Sequence, residues 1–435
     1  MLVRSAPRAV TAEAPPWGLA LANRRFRWLL LTISGVPITL SYLWFGVLKP
    51  LLSSGPSDFV YVYLAGAKML AAGADPYLCN LGQCGGHPHY RLFYPPFAFW
   101  LMQPLAGLDQ SLTSGIALIA ANLFLVAFIW LMLRALRITD RQVAVTVALG
   151  TISFAPALTE IQNRNLQSAV LMVSALVLLA YLQGDRWWGG VGLGIALAIK
   201  LIQAPLLLLA AWGRRFRFVA AAVVVWTVLW LIGAPQYLVE YLLRVAPSEA
   251  RGDSEVINGA PFGTINRIFH PESLYDSGLG GGPVVLGLAV LFAIAVLAWS
   301  WWALRSPRTD RSGRGLEVAV AVAASSLVVP LIYAGQFMLL LLPMIVLFDF
   351  GLRTRSRSLV IAVIASWLLL GPSYLAFTNA LAAGFGTQLM FQLWANSPLA
   401  GVIVLWLASV HAVKLHGNQT VTAPEQRSIA VPPRP

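Results

Sequence analysis

Two residues in this chain stand where charge is costly, and both types can do chemistry. Asp58 follows directly on a long apolar run, and Lys200 lies inside another. A carboxylate can take a proton from a hydroxyl, and an ammonium can neutralise a developing anion such as a phosphate. An ionisable group at membrane depth is a functional hypothesis by default. The plainer readings are that Asp58 caps the helix starting at Phe59 and that Lys200 sits in a salt bridge. Arg164, Arg251 and Arg267 fall on the same expected side as Lys200, and guanidinium groups can meet phosphate oxygens in pairs. Glu160 is the acid nearest the outer end of a span on that side.

The stretch between Ser57 and Phe97 holds the rest of the unusual chemistry. Cys79 and Cys84 stand close together, with His87 and His89 just beyond. The ligand types suit a metal, but the spacing matches no standard zinc pattern. Two cysteines facing an oxidising compartment form a disulfide more often, here one that would clip the loop. Tyr90, Phe93, Tyr94, Phe97, Phe99 and Trp100 read first as an interfacial aromatic belt and second as a sugar or polyprenyl surface. Pro95-Pro96 sets a rigid turn and a helix start.

The elements that must position these residues are membrane helices. The chain has 435 residues, 58% hydrophobic and 11% charged, with mean hydropathy +0.73. Soluble domains carry about 25% charged residues, and runs near 20 apolar residues match a roughly 30 Å hydrocarbon core. The net charge of +13 does not indicate nucleic acid. The cations form short clusters between apolar runs, as the positive-inside rule requires, and not a patch on a soluble domain. No phosphate-cradling glycine loop or dinucleotide fingerprint occurs.

Sorting the basic clusters to one side predicts an all-α protein of about twelve spans, with both termini inside. The first span covers 28–48 behind Arg24, Arg25 and Arg27. An outer loop, 49–111, carries Asp58, and a second outer loop covers 235–283. The runs 188–212 and 316–350 each read best as a hairpin of two short helices, the first tipped near Lys200, because both basic flanks then stay inside. Residues 1–24 and 415–435 read as disordered cytoplasmic tails around one domain, 25–414, with no removable signal peptide. The sequon at Asn418 falls on the inner tail and is discounted.

These features together resemble glycosyltransferase family 87, membrane transferases that use polyprenyl-phosphate sugars. The resemblance rests on Asp58 after the first span, Tyr63-Leu64-Ala65-Gly66, Gly73-Ala74-Asp75-Pro76-Tyr77 and Tyr94-Pro95-Pro96-Phe97. It extends to the turn Gln162-Asn163-Arg164-Asn165 and to Lys200 ahead of Pro205. The family often has a Gly before that Gln and a later Trp/His stretch. Here Gln162 follows Ile161, and Val329–Gln336 holds neither Trp nor His.

The resemblance implies an enzyme of the plasma membrane with its active site on the outer face. It would transfer a hexose, with mannose first and arabinofuranose as the alternative, to a glycolipid or polysaccharide acceptor. It implies an inverting displacement with Asp58 as general base. Lys200, Arg164 and Arg267 would hold the donor phosphate, and Tyr63, Asp75, Tyr77, Tyr94, Glu160, Gln162 and Asn165 would contact substrate. No cofactor is expected. A lipid-glycan flippase or transporter is the competing class; it would spread polar residues through midplane helices and repeat its halves, whereas here they concentrate in outer loops.

Overall fold

The computed structural model describes residues 24–52, 57–77, 92–184, 186–250, 258–269, 282–371 and 395–427. Cys79, Cys84, His87, His89, Tyr90 and Arg251 lie outside these residues. Among the described residues the chain is almost entirely helical, with no strand and one isolated bridge between Asn258 and Tyr333. Five helices are long and apolar enough to cross a membrane: α1 (Arg24–Leu52), α4 (Gln110–Leu136), α13 (Pro283–Ala303), α15 (Gly335–Arg353) and α17 (Ser397–Arg427, apolar through Asn418). The number is seven if each of two bent pairs counts as one span. These are α5 (Arg141–Ile152) with α6 (Ala155–Gln162), bent by 54°, and α10 (Phe216–Ile232) with α11 (Pro235–Glu249), bent by 97°. The chain is a multi-pass membrane protein.

The difference from about twelve spans has a geometric reason. At 1.5 Å per residue, α8 (Trp187–Ile199) covers about 20 Å, well short of a roughly 30 Å core. It is one of several shorter apolar helices, with α2 (Phe59–Ala71), α7 (Gln167–Leu182), α9 (Leu201–Trp212) and α16 (Arg357–Leu370). Three further helices complete the description: α3 (Pro96–Met102), α12 (Pro261–Phe269) and α14 (Arg311–Val328), the last of which pairs with α15.

Burial separates the helices into two kinds. On α1 and α4, Ile33, Leu40, Ile119, Leu123 and Val126 are exposed, as a lipid-facing surface requires. On α7, α14 and α15 nearly every apolar side chain is buried, so these helices form the interior.

Both expected hairpins have their break. Lys200 interrupts α8 and α9 in an extended conformation (φ −150°, ψ 128°). The two flanks of this pair meet at one end, because Arg215 donates to the carbonyls of Tyr181 (2.9 Å) and Gly184 (3.2 Å). The second pair, α14 and α15, is broken over 329–334 and behaves alike. Arg311 donates to Ala135 O and Arg353 to Leu136 O, so both of its flanks reach the same end of α4. The tips of the two hairpins point the other way.

Four helix ends share a device. Arg137, Arg164, Arg214 and Arg355 all have φ of 55°, the left-handed conformation normally given to glycine after a helix. Each closes a Schellman turn; after α6, for example, Arg164 N donates to Ile161 O (3.0 Å) and Asn165 N to Glu160 O (3.0 Å). A non-glycine residue there costs about 1–2 kcal/mol. A cation at a helix C-terminus returns about 0.3–1 kcal/mol of that.

Helix α17 continues to Arg427. His416 bonds Asp310 at 2.9 Å, and Gly417 packs against the Arg308 guanidinium.

Tight glycine packing sets α8 against α10. A Cβ on Gly190 would run into the backbone carbonyl of Phe218, whereas one on Gly192 would make ordinary contact at 3.5 Å with Val173 and Val177. Gly190→Ala is expected to destabilise by about 1–3 kcal/mol, and Gly192→Ala by less. Thermal inactivation of the purified protein in detergent checks the order, and equal midpoints for the two variants would overturn it.

Candidate active site

The hairpin tips, the start of α2 and the turn after α6 converge on one polar cluster. The Schellman turn explains why Asn165 is available. Its backbone is fixed by the bond to Glu160 O, and two residues earlier Asn163 O accepts from Phe59 N at 3.2 Å. The turn is thereby docked on the first residues of α2.

The Asn165 side chain is the centre of the cluster. Its Oδ1 accepts from Tyr63 OH at 2.9 Å, from Lys200 Nζ at 3.1 Å and from Gln167 N at 3.1 Å. Three donors converging on one atom fix the orientation of the amide. Its Nδ2 therefore faces the other way, and it donates to Asp58 Oδ2 at 2.8 Å. Asp58 and Lys200 are held at opposite ends of one buried amide.

Asp58 does not cap α2 with its side chain, contrary to the plainer sequence reading. Ser57 does that work: its carbonyl accepts from Val60 N and Tyr61 N, and its Oγ accepts from Val60 N at 3.4 Å. The Asp58 carboxylate is left free to face the cluster. It lies outside the membrane-spanning segments, between α1 and α2. Burial pushes its pKa above the ordinary carboxylate value, while the Asn165 N–H and the Lys200 charge pull it back.

Lys200 is buried, 6% exposed. Its ammonium sits 4.8 Å from the centre of the Tyr94 ring, and that ring packs 4.6 Å from the ring of Tyr63. No carboxylate among the described residues forms an ion pair with it within 4.0 Å. A neutral amide oxygen and a ring face hold the cation, so its charge is not cancelled by direct contact.

The motif residues further out position Tyr94. Asp75 Oδ1 accepts from Tyr77 N at 2.8 Å, just after Gly73 turns the chain at φ 71°. Tyr77 OH then donates to Tyr94 O at 2.8 Å, next to the Pro95-Pro96 start of α3. Asp75 and Tyr77 therefore reach the cluster through Tyr94.

Glu160 is buried at 3% exposure, and its Oε2 has no hydrogen-bond partner. It lies within electrostatic reach of Lys200 and Asp58. It presses on Gly335 at the second hairpin tip so closely that any Cβ there would collide with its carboxylate. Glu249 of α11 is also within electrostatic reach of Lys200. Sequence reasoning passed it over, because one Glu in a polar outer loop carries no spacing signal.

The remaining predicted residues are engaged elsewhere. Gln162 donates to Phe45 O (3.0 Å) and Arg164 to Pro50 O (2.5 Å), both on α1. Arg267 is fully buried and donates to Asn396 Oδ1 (2.9 Å), Asn258 O (2.8 Å) and Thr264 Oγ1 (3.2 Å). Arg267 thus joins residues 258–264 to Asn396, and Arg164 joins its turn to α1 through Nη2 while its Nε stays without a hydrogen-bond partner. Asn258, unremarkable in sequence, is the joint of the second outer loop. Its Oδ1 accepts from Ala260 N (3.0 Å) and Ile332 N (3.1 Å), which ties α12 to the strand-like segment before Gly335. Among the described residues no group of three or more His, Cys, Asp or Glu is placed to hold a metal.

The arrangement can take a proton at Asp58 and balance an anion at Lys200. Two curated relatives from two strains of Mycobacterium tuberculosis, each named alpha-(1->3)-arabinofuranosyltransferase, are 29% identical over 142 residues, 32% of this chain and 32% of theirs. The chain thus spans about a third of the length of these relatives. The family model for glycosyltransferase family 87 matches residues 92–343, more than half of the chain. By that match over more than half of its length, the chain belongs to glycosyltransferase family 87.

Proposed function

We propose that the protein transfers a sugar from a polyprenyl-phosphate donor to a hydroxyl of a glycolipid or polysaccharide acceptor, with Asp58 as general base. The observation that carries the reading is the Asn165 amide, with Asp58 on its nitrogen and Lys200 on its oxygen. The acceptor oxygen attacks the anomeric carbon from the face opposite the phosphate, so the configuration inverts. Its proton passes to Asp58 as the new C–O bond forms. The bond from the anomeric carbon to the phosphate oxygen breaks, and polyprenyl phosphate leaves with the electron pair. The leaving group is already a stable anion, so no strong acid is needed; Lys200 balances its growing charge. Tyr63 and Tyr94 provide a ring surface beside the sugar, with Glu160 beneath it.

We place the site on the outer face of the plasma membrane, with both termini cytoplasmic and about twelve crossings in which the hairpins count twice. The arginine-rich helix ends gathered away from the site support that orientation. Mannose is the first sugar proposed. The names of the two mycobacterial relatives favour a second reading, a polyprenyl-phosphate arabinofuranose donor. Membranes incubated with each labelled donor, followed by analysis of the glycolipid product, distinguish the two; no product from either would overturn the proposed function.

Asp58→Asn is expected to lower transfer by about 10²–10⁴-fold, the usual weight of a general base, with insertion and thermal midpoint retained. Near-normal activity in that variant would remove Asp58 from the role. A base works only when deprotonated. Because the Asp58 pKa is raised, activity should fall with decreasing pH at a value above the ordinary carboxylate pKa of about 3.9. Asn165→Leu removes the donor that holds this pKa down, so its acid limb should move further up in pH. A limb that stays in place, or moves down, contradicts the assignment.

A further inference from the structure

Beside Arg164 and Val60 lies a cavity of about 420 Å³ between the end of α1 and the start of α4. Its wall is half greasy and half polar: Leu51, Val60 and Leu118 on one part, Ser111, Ser114 and Arg164 on another. The volume is in the range of small-molecule sites. Arg164 is 6% exposed, its Nε has no hydrogen-bond partner, and no carboxylate pairs with it among the described residues. Its other nitrogens donate only to the carbonyls of Pro50 and Gln162. A buried guanidinium bonded only to neutral groups is a charge without a counter-charge.

The other charged group on this wall is Asp109. Its carboxylate is turned onto its own helix, accepting from Ser111 N (2.8 Å), Ser111 Oγ and Leu112 N (3.2 Å) as the cap of α4. A ligand that fits Arg164 must therefore carry negative charge, yet only one unit beside Asp109. Leu51 and Leu52 on the wall, with Leu112 and Ile116 on α4, are exposed and apolar, a surface for acyl chains at the end of two spans.

We infer that this cavity is a headgroup site for an anionic phosphodiester lipid, with the phosphate on Arg164 and the chains along α1 and α4. A phosphodiester carries one charge and a tail; free phosphate carries close to two and none. The site is separate from the sugar-transfer cluster and does not depend on the reading given to it.

The test is native mass spectrometry of the full chain, delipidated in detergent and titrated with phosphatidylglycerol or with inorganic phosphate. Phosphatidylglycerol is expected to be retained at least 10-fold more tightly than phosphate. Ser114→Phe, which fills the cavity and leaves Arg164 in place, and Arg164→Gln are each expected to lower that retention at least 10-fold. The lipid should raise the thermal midpoint of the parent but not of Ser114→Phe. Because Arg164 also holds the end of α1, Ser114→Phe decides if Arg164→Gln fails to fold. Equal lipid retention in the parent and Ser114→Phe, or phosphate competing as well as the lipid, would overturn the inference.

Discussion

The site depends on one buried amide bonded at both ends. Asn165 receives a tyrosine hydroxyl, an ammonium and a backbone N–H on its oxygen, and gives a hydrogen to Asp58. A carboxylate in its place would pair with Lys200 and cancel the cation. An apolar residue would leave Tyr63, Lys200 and Asp58 each short of a partner, at about 1–3 kcal/mol for each unsatisfied group. The amide does what neither can: it holds an acid and a base near one another without letting them neutralise. That is why Lys200 remains a usable charge despite its burial.

The surrounding fold makes that arrangement rigid. Asn165 is set by a helix stop, Lys200 by a helix break, and Asp58 by a helix start whose capping is delegated to Ser57. Gly335, at the second hairpin tip, closes the floor against Glu160. Each functional group thus sits on a terminus, where the backbone departs from helical repetition and a side chain can be aimed. The long apolar helices contribute by bringing four such termini to one level.

Much of this was legible in the sequence, and the unreadable parts have physical causes. The membrane class followed from apolar runs, and the breaks at Lys200 and near Pro330 followed from basic flanks that had to share a side. Asp58 and Lys200 stood out because charge is expensive where they lie. The role of Asn165 was not legible beyond its place in a motif, since an Asn beside a turn is ordinary until three donors are seen on it. Arg164 looked like a partner for Lys200 because sequence gives the side of the membrane and not the direction of a side chain. Its left-handed backbone turns it toward α1 while its neighbour turns toward Asp58. Glu249 and Asn258 come from a loop whose path the sequence does not give.

The four arginines at helix ends carry a consequence for how such a chain can change. At Arg137, Arg214 and Arg355 the residue that stops a helix is also a cation of the kind that, under the positive-inside rule, biases the side a helix end takes. Stop signal and orientation signal are written in the same letter. An insertion that lengthens one of these helices must carry its charge along or lose both instructions at once, so crossing length and crossing direction are inherited together. Arg164 uses the same stop beside the Asn165 cluster.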